Sequence, residues 1–278
     1  MVKVGGQHDG GQIMTLPRIA QVECDGFDYS VFATDDFLSQ QVFRKGTWGK
    51  LQHALTQILV KGFEAPVILD IGANFGLYAV PVASMVAGLG GKVLAFEPQR
   101  IVFQQLCANI FANRLDCVWA YNQAVGEAPG TIALPTIDYS KAANIGAFSL
   151  DEELQRMRGL EAGLDRSKTE AIEMTSLDTL EPPARVRLLK IDVEGFEIQV
   201  VRGGRQFFEA QGFPPIIFEA WEGDWFAERR KALFTELEAL GYAITRLATD
   251  EFFAQHASYE AHVDVVTDGN RINLSRVR

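Results

Sequence analysis

An apolar run that ends in Asp70 and continues into a glycine-punctuated turn has the clearest potential for chemistry in this sequence. The run is short, rich in β-branched residues and preceded by Pro66, which is typical of a parallel strand covered on both faces. Gly72 and Gly76 follow, and glycine lets the backbone turn tightly and approach a ligand with no Cβ in the way. The pattern predicts a strand, a turn and a helix that bind a nucleotide-type cofactor.

The spacing of these glycines narrows the choice of cofactor. A dinucleotide fold carries three glycines as GxGxxG, which bring a pyrophosphate onto the helix N-terminus. Here the spacing is Asp-x-Gly-x-x-x-Gly, from Asp70 to Gly76. This spacing disfavours NAD and favours S-adenosylmethionine, which has no phosphate and offers an ammonium, a sulfonium and a ribose. A carboxylate at the strand end suits those cationic and hydroxyl groups.

A second strand-end acid follows about 25 residues later, at the distance where an α/β nucleotide site places its ribose-binding carboxylate. The apolar residues after Lys92 lead into Glu97 and Pro98. We therefore predict that Glu97 binds the ribose hydroxyls. Either acid alone would usually be structural, but the two at this spacing favour a cofactor site.

A third group of acids, Asp192, Glu194 and Glu197, follows the apolar stretch that contains Lys190. Because side chains alternate along a strand, Lys190 and Asp192 share one face, and we predict an ion pair that keeps the Asp ionised. Glu194 and Glu197 can equally be acids in the first turn of the next helix. This group is expected at the same sheet edge as Asp70 and Glu97.

Three roles remain open for Asp192: general base toward a substrate hydroxyl, ligand of the methionine ammonium, or ligand of Mg²⁺. Glu219, which ends the apolar run at residues 216–218, is the second candidate for the base. Trp221 and Trp225 can form apolar walls or stack on a sugar ring, and at least one of them is expected in the core.

Composition restricts the classes of protein that fit. The chain has 278 residues, 47% of them hydrophobic, and a net charge of −10. It contains no Lys/Arg run long enough for the basic patch that nucleic-acid phosphates require, so we expect no nucleic-acid partner. The three cysteines have neither zinc-site nor disulfide spacing. With no membrane-length apolar run and no signal-peptide core, we expect a cytoplasmic protein without a membrane partner.

Strands and helices alternate along most of the chain. We predict strands at residues 67–71, 92–96, 116–121, 186–191, 216–219, 242–247 and 262–266, and helices at 77–87, 99–113, 197–208 and 226–240. This βαβ order predicts an α/β fold with a Rossmann-like, doubly wound, mostly parallel seven-stranded sheet. The last strand is expected to be its one antiparallel edge strand.

Two segments flank or interrupt this core. Residues 1–65 are predicted as an N-terminal extension, with a short hairpin at 19–32 and a helix at 48–60, that packs on a domain of residues 66–278. Residues 135–175 are charged and poorly periodic. An insertion after a central strand lies at the carboxyl edge of the sheet, so we assign this one to the substrate pocket.

Three stretches carry the most distinctive part of the sequence: Leu-Asp-Ile-Gly-Ala-Asn-Phe-Gly at 69–76, Phe-Glu-Pro at 96–98 and Leu-Lys-Ile-Asp-Val-Glu-Gly-Phe-Glu at 189–197. Together they resemble the FkbM-type S-adenosylmethionine-dependent methyltransferases over roughly residues 30 to 250. Weaker matches lie at 122–126, 144–146 and 176–178. The first stretch is shared by many methyltransferases, whereas the third is much more specific.

The resemblance implies a class I methyltransferase that methylates oxygen, on a hydroxyl of a small molecule, sugar or secondary metabolite. It places Asp192 near the methionine end of the cofactor or near the acceptor, with Gln123 and Ala124 near the adenine. The residues assigned to the cofactor are Asp70, Gly72, Asn74, Phe75, Gly76, Glu97, Pro98, Gln123, Ala124 and Asp192, and those assigned to the acceptor are Asn144 and Trp221.

Other functions remain compatible with the sequence. The same cofactor machinery can methylate nitrogen or a carboxylate in a peptide or small metabolite. A non-catalytic binding module can retain the fold, although the three strand-end acids argue against this. An NAD-dependent oxidoreductase ranks third because the glycine spacing is wrong. A homodimer is compatible with the sequence.

Overall fold

The computed structural model describes residues 16–141, 145–159, 161–268 and 271–277. The strands are β1 (Ile19–Cys24), β2 (Phe27–Phe32), β3 (Val67–Ile71), β4 (Lys92–Phe96), β5 (Val118–Tyr121), β6 (Gln123–Val125), β7 (Gly130–Ile137), β8 (Leu164–Thr175), β9 (Val186–Ile191), β10 (Ile216–Glu219), β11 (Tyr242–Arg246), β12 (Glu251–His256), β13 (Val263–Asp268) and β14 (Arg271–Arg276). The helices are α1 (Phe37–Lys45), α2 (Lys50–Val60), α3 (Ala79–Ala87), α4 (Arg100–Ala112), α5 (Glu152–Met157), α6 (Glu197–Arg202), α7 (Arg205–Ala210) and α8 (Ala227–Ala239), with 3₁₀ turns at Leu177–Thr179 and Asp224–Phe226.

The central sheet has seven strands in the order β11-β12-β10-β9-β3-β4-β5. Strand β12 runs antiparallel to both β10 and β11, and the remaining pairs are parallel. The mostly parallel, seven-stranded α/β sheet predicted from the sequence is therefore confirmed. Its antiparallel strand lies one position in from the edge.

Both faces of this sheet are covered by apolar side chains. Along β3, Leu69 packs into the core on one face and Ile68 packs into the core on the other, and every residue of the strand is buried. Because successive side chains of a strand point to opposite faces of the sheet, neighbouring residues of β3 belong to two different cores. The face that holds Ile68 also receives Leu55 and Leu59 of α2.

The N-terminal hairpin predicted at residues 19–32 is formed by β1 and β2, which pair antiparallel with Asp25 and Gly26 at the turn. It is joined to the sheet through Asn109 of α4, which is fully buried. The Oδ1 atom of Asn109 accepts from the Ser30 amide at 2.7 Å, and its Nδ2 donates to the carbonyl of Phe75 at 2.8 Å. The hairpin thereby supports the turn after β3.

The predictions for residues 262–266 and 197–208 need correction. The strand expected at 262–266 is β13, which pairs with β14 in a separate two-stranded sheet. The antiparallel strand of the main sheet is β12 instead. The single helix expected at 197–208 is divided into α6 and α7 by Gly203 and Gly204. A Cβ on Gly203 would meet the carbonyl oxygen of Gly126 at 2.1 Å, so the chain turns where only glycine fits.

The region expected to lack periodicity, residues 135–175, is largely regular. Strands β7 and β8 pair antiparallel, and β6 joins them in a three-stranded sheet of order β6-β8-β7. Their exposed faces carry charged residues, which hid the strand pattern in the sequence. Within the described residues, no helix has both the length and the apolar character needed to cross a bilayer.

Candidate active site

A cavity of about 260 Å³ lies where the carboxyl ends of β3, β4, β9 and β10 meet. Its walls come from the turn after β3, the residues that follow β4 and β9, the N-terminal region around α1 and α2, and a loop that begins at Gly146. Ligands of open α/β sheets bind at this edge. The strand ends therefore position the side chains that face a ligand.

The turn after β3 brings two strand ends into close contact. Gly72 has a φ of +83°, and a Cβ there would meet the backbone oxygen of Asp192 at 1.8 Å. The amides of Gly72 and Ala73 donate to the carbonyl of Phe96 at 3.0 and 2.9 Å. The turn is held between the ends of β9 and β4, and Gly72, Ala73 and Asn74 border the cavity.

Glu97 connects the end of β4 to this turn. Its Oε2 accepts from the Asn74 amide at 3.0 Å, and its Oε1 accepts from the Gln99 amide at 2.9 Å. The residue is 4% exposed, and burial raises its pKa to about 7, although both hydrogen bonds favour the charged form. Each carboxylate oxygen has a further acceptor position, which a ligand hydroxyl can use.

Asp70 lies beneath the glycine turn and does not border the cavity, which corrects its assignment as a direct cofactor contact. Alternation along β3 places Asp70 on the same face as Ile68, and Asp70 pairs in register with Lys190 of β9. It is fully buried, and its Oδ1 lies 3.5 Å from Lys190 Nζ. Burial raises the pKa of Asp70, and the charge of Lys190 opposes that rise.

The predicted ion pair between Lys190 and Asp192 is confirmed, with 3.1 Å between Nζ and Oδ2. Lys190 Nζ also lies 3.4 Å from the carbonyl oxygen of Gly72. Although burial opposes its charge, the carboxylates of Asp192 and Asp70 raise the pKa of Lys190 above its usual value. The Asp192 side chain is 37% exposed and borders the cavity. Lys190 thus holds an accessible carboxylate beside the turn.

The other two acids of this motif differ in their surroundings. Glu197 is buried, and its Oε1 accepts from the amides of Val193 and Gly195, both at 3.1 Å, so it closes the loop after β9. Glu194 borders the cavity and pairs with Arg158, with 2.5 Å between Oε2 and Nη1. Burial raises the pKa of Glu194 to about 8 and that of Glu197 to about 7.

Glu219 also borders the cavity, at the end of β10. Carboxylate oxygens of Asp192, Glu194 and Glu219 lie within 4.8 Å of one another. Burial, with the negative charge of Asp192 as the second cause, raises the pKa of Glu219 well above its usual value. Oxygen donors of this kind can hold Mg²⁺, so the donor set fits the cation that the sequence left open.

The cavity brings most of the predicted site residues together. Those that border it are Gly72, Asn74, Glu97, Pro98, Gln123, Ala124, Asp192 and Glu219. They come from the ends of five neighbouring strand segments, which explains why they are far apart in the sequence.

Other predicted residues lie elsewhere. Phe75 is buried against Tyr29, with ring centroids 6.3 Å apart, and a Cβ on Gly76 would meet Leu106 Cδ1 at 2.9 Å, so both shape the packing around the turn. Trp221 is buried with the guanidinium of Arg158 stacked 4.1 Å from its ring, and it does not border the cavity. The predicted acceptor residue Asn144 lies outside the described residues.

One part of the wall, in the N-terminal region, was not predicted, and another lies within residues 135–175, the segment that the sequence assigned to the substrate pocket. The N-terminal region contributes Phe37, Trp48 and Gln52. The loop after residue 144 is fixed by Asp36, whose Oδ1 accepts from the Ile145 amide at 2.8 Å. A Cβ on Gly146 would meet Asn74 Nδ2 at 2.4 Å, so this glycine allows the loop to reach the turn. This loop follows the Asn-Ile-Gly stretch at 144–146, which stood among the weaker motif matches.

Known proteins share this sequence pattern. The family model described as the methyltransferase FkbM domain matches residues 70–244, more than half of the chain. Methyltransferase sdnD of Sordaria araneosa is 29% identical over 201 residues, which cover 65% of this chain and 75% of that protein. The crystal structure of methyltransferase FkbM from Methylobacillus flagellatus KT is 16% identical with a TM-score of 0.44, covering 69% of this chain and only 44% of that longer chain.

A 16S rRNA N2 G1207 methyltransferase of T. thermophilus, solved with AdoMet and guanosine, is 13% identical with a TM-score of 0.46. The match covers 88% of this chain and 52% of that one.

Proposed function

Because the chain belongs to the FkbM methyltransferase family, whose methyl donor is S-adenosylmethionine, we propose that it methylates a hydroxyl oxygen of a small molecule, sugar or secondary metabolite. The observation that carries this proposal is the position of Asp192. Its carboxylate forms an ion pair with Lys190 and borders the same cavity as the glycine turn. A carboxylate there can accept the proton of a hydroxyl as the oxygen attacks a methyl group.

The cofactor is proposed to lie along the strand ends in the order of the sheet. Gln123 and Ala124 support the adenine beyond β5, Glu97 accepts the ribose hydroxyls beyond β4, and the amino-acid part lies along Gly72 to Asn74. Glu97 suits the ribose because both its oxygens border the turn and keep an acceptor position. The sulfonium of the bound cofactor supplies a reactive methyl group and a good leaving group.

The contribution of the protein is alignment and a proton acceptor. Asp192 accepts or orients the hydroxyl proton, and Glu219 is the second candidate for this role. Lys190 holds the carboxylate of Asp192 in place through an ion pair, with 3.1 Å between Nζ and Oδ2. Holding the acceptor oxygen behind the methyl group and keeping water out account for the remaining rate enhancement.

The experiment that tests this function is product analysis after incubation with S-adenosylmethionine carrying a trideuterated methyl group. A panel of hydroxyl, amine and carboxylate acceptors is scanned by mass spectrometry, and fragmentation locates the label. Label on a hydroxyl oxygen supports the proposal. Label found on nitrogen or on a carboxylate would instead support the alternative acceptor chemistry.

Glu97 gives the site a pH dependence. Its pKa is raised to about 7 by burial, and the ionised form is the better acceptor for ribose hydroxyls. Affinity for 5′-methylthioadenosine, which has the adenine and ribose but no amino-acid group, is expected to fall about tenfold from pH 8 to pH 6. This is the change in the ionised fraction of such a group.

Calorimetric titration across this range measures the effect, and Glu97→Gln is the matched variant. It keeps the shape of the side chain and does not titrate, so its weaker affinity is expected to be independent of pH. A wild-type affinity that stays constant from pH 8 to pH 6 would rule out Glu97 as the ribose ligand.

The remaining expectations concern partners and location. A cytoplasmic protein without nucleic-acid or membrane partners, able to form a homodimer, stays our prediction. The net charge of −10 supports the exclusion of nucleic acid. Mg²⁺ at Asp192, Glu194 and Glu219 stays an alternative means of orienting the acceptor, and dialysis against a chelator before the assay tests it.

A further inference from the structure

Glutamates of two neighbouring strands, β10 and β12, border the cavity on the side of the sheet away from β4. Glu219 of β10 and Glu251 of β12 are direct partners in the antiparallel register, and both border the cavity. Directly opposed residues point to the same face of a sheet, and like charges in such positions destabilise it. The register therefore places two acidic residues side by side on one face of the sheet, at the cavity.

The nearby cations are committed to other acids. Lys190 pairs with Asp70 and Asp192, and Arg158 pairs with Glu194. In the part of the chain that the structure describes, neither Glu219 nor Glu251 has a Lys or Arg within ion-pair distance. Gln52 Nε2 donates to Glu251 Oε1 at 2.8 Å, which leaves the pair without a positive charge.

Glu219 supplies a second, separate observation. Its Oε2 atom is shielded from solvent, and no hydrogen-bond donor satisfies it within the described residues. A buried, unsatisfied acceptor is costly, and native structures retain one only for a reason such as a missing ligand. Because Glu219 borders the cavity, a ligand in the cavity can supply the missing donor.

The position of the pair identifies that ligand as the acceptor. In the sheet order, β10 is three strands and β12 is four strands from β4, where Glu97 lies. Strand spacing puts these ends about 14 and 19 Å from the ribose end of the site. In the placement proposed above, the amino-acid part of the cofactor lies along the turn after β3. The ends of β10 and β12 lie beyond it.

We propose that Glu219 and Glu251 bind a protonated amine of the acceptor and so hold its hydroxyl beside Asp192. This deepens the proposed function and rests on it. An ammonium has no free lone pair, so the amine is an anchor and the hydroxyl remains the methylated group. The acceptor class is an amino alcohol, including amino sugars, whose nitrogen and hydroxyl oxygen are about one strand spacing, 5 Å, apart.

The charges that act on Glu219 fit this role. Burial favours the neutral form of Glu219. The negative charges of Asp192, Glu194 and Glu197 act in the same direction, and the single positive charge of Arg158 opposes them. A bound ammonium adds the opposite charge and favours the ionised carboxylate.

The binding test uses the protein saturated with S-adenosylhomocysteine and two matched probes, trans-4-aminocyclohexanol and trans-1,4-cyclohexanediol. Calorimetry is expected to show at least about tenfold tighter binding of the amino alcohol, the value of one charge-assisted hydrogen bond. Glu219→Gln is expected to remove this preference, and Glu209→Gln, which changes an exposed carboxylate, is expected to retain it. Equal affinities, or no saturable binding of the amino alcohol, would overturn the proposal.

Two further outcomes have distinct meanings. Failure of S-adenosylhomocysteine to bind would contradict the proposed function, whereas normal cofactor binding without amine preference contradicts only this inference. A titration with MgCl₂ is run in parallel. If Mg²⁺ binds and displaces the amino alcohol, the acids form a metal site and the amine proposal fails.

Discussion

Gly72→Ala is expected to abolish binding of S-adenosylhomocysteine, with a loss of affinity of about 100-fold or more. A Cβ at this position would lie 1.8 Å from the backbone oxygen of Asp192 and 2.8 Å from its carbonyl carbon. Neither atom can move as a flexible side chain would, because β9 is buried on both faces. The turn after β3 must therefore shift away from Glu97 and from the cavity.

The same change is expected to destabilise the fold by about 3 kcal/mol, because it combines a backbone clash with a left-handed φ. Gly62→Ala is the matched control. Gly62 has a φ of +84°, close to the +83° of Gly72, but nothing lies within 4 Å of its Cβ position. Gly62→Ala is expected to cost about 1 to 2 kcal/mol through φ alone and to keep cofactor affinity. Chemical denaturation and calorimetry separate the two effects, and tight cofactor binding by a folded Gly72→Ala protein would contradict the turn as a cofactor cradle.

Asp192→Asn is expected to lower kcat by 10²- to 10⁴-fold, the usual contribution of a general base. The amide keeps the shape of the side chain but cannot take up the hydroxyl proton. Lys190 keeps its second partner, Asp70, at 3.5 Å, so we expect a folded protein. Affinity for S-adenosylhomocysteine is expected to stay within about threefold of wild type. Initial rates on the acceptor found by product analysis measure the effect.

The matched control for this change is Asp116→Asn, which removes the same charge from an exposed loop residue. It is expected to leave kcat unchanged. If Asp192→Asn retained full turnover, Asp192 would be neither base nor metal ligand, and Glu219→Gln would become the variant to assay. A loss of kcat in Glu219→Gln alone would move the proton acceptor to β10.

The sequence located the strands that form the cofactor edge. Strands β3, β4 and β9 are buried on both faces, so their apolar runs stand out and their C-terminal acids follow directly. The ion pair of Lys190 with Asp192 could also be predicted, because it depends only on alternation within one strand. The same alternation, applied to Asp70, would have placed that residue beside Ile68, beneath the turn.

Other features depend on contacts that no local pattern records. Strand β12 resembles its neighbours in composition. Its antiparallel position between β10 and β11 depends on the path that the chain takes back to the sheet after α8. The division of the helix at Gly203 is set by the distant carbonyl of Gly126. Likewise, Trp221 lies in the hydrophobic core and stacks with Arg158, a residue 63 positions earlier in the sequence.

The most direct test of the account is a crystal structure of the protein with S-adenosylhomocysteine. The expected result is a ligand in the cavity at the strand ends, with both ribose hydroxyls donating to Glu97 and the adenine beside Ala124. The sulfur is expected to point toward Asp192. A ligand bound elsewhere, or one whose ribose does not contact Glu97, would contradict the central claim that this sheet edge is the methyl-transfer site.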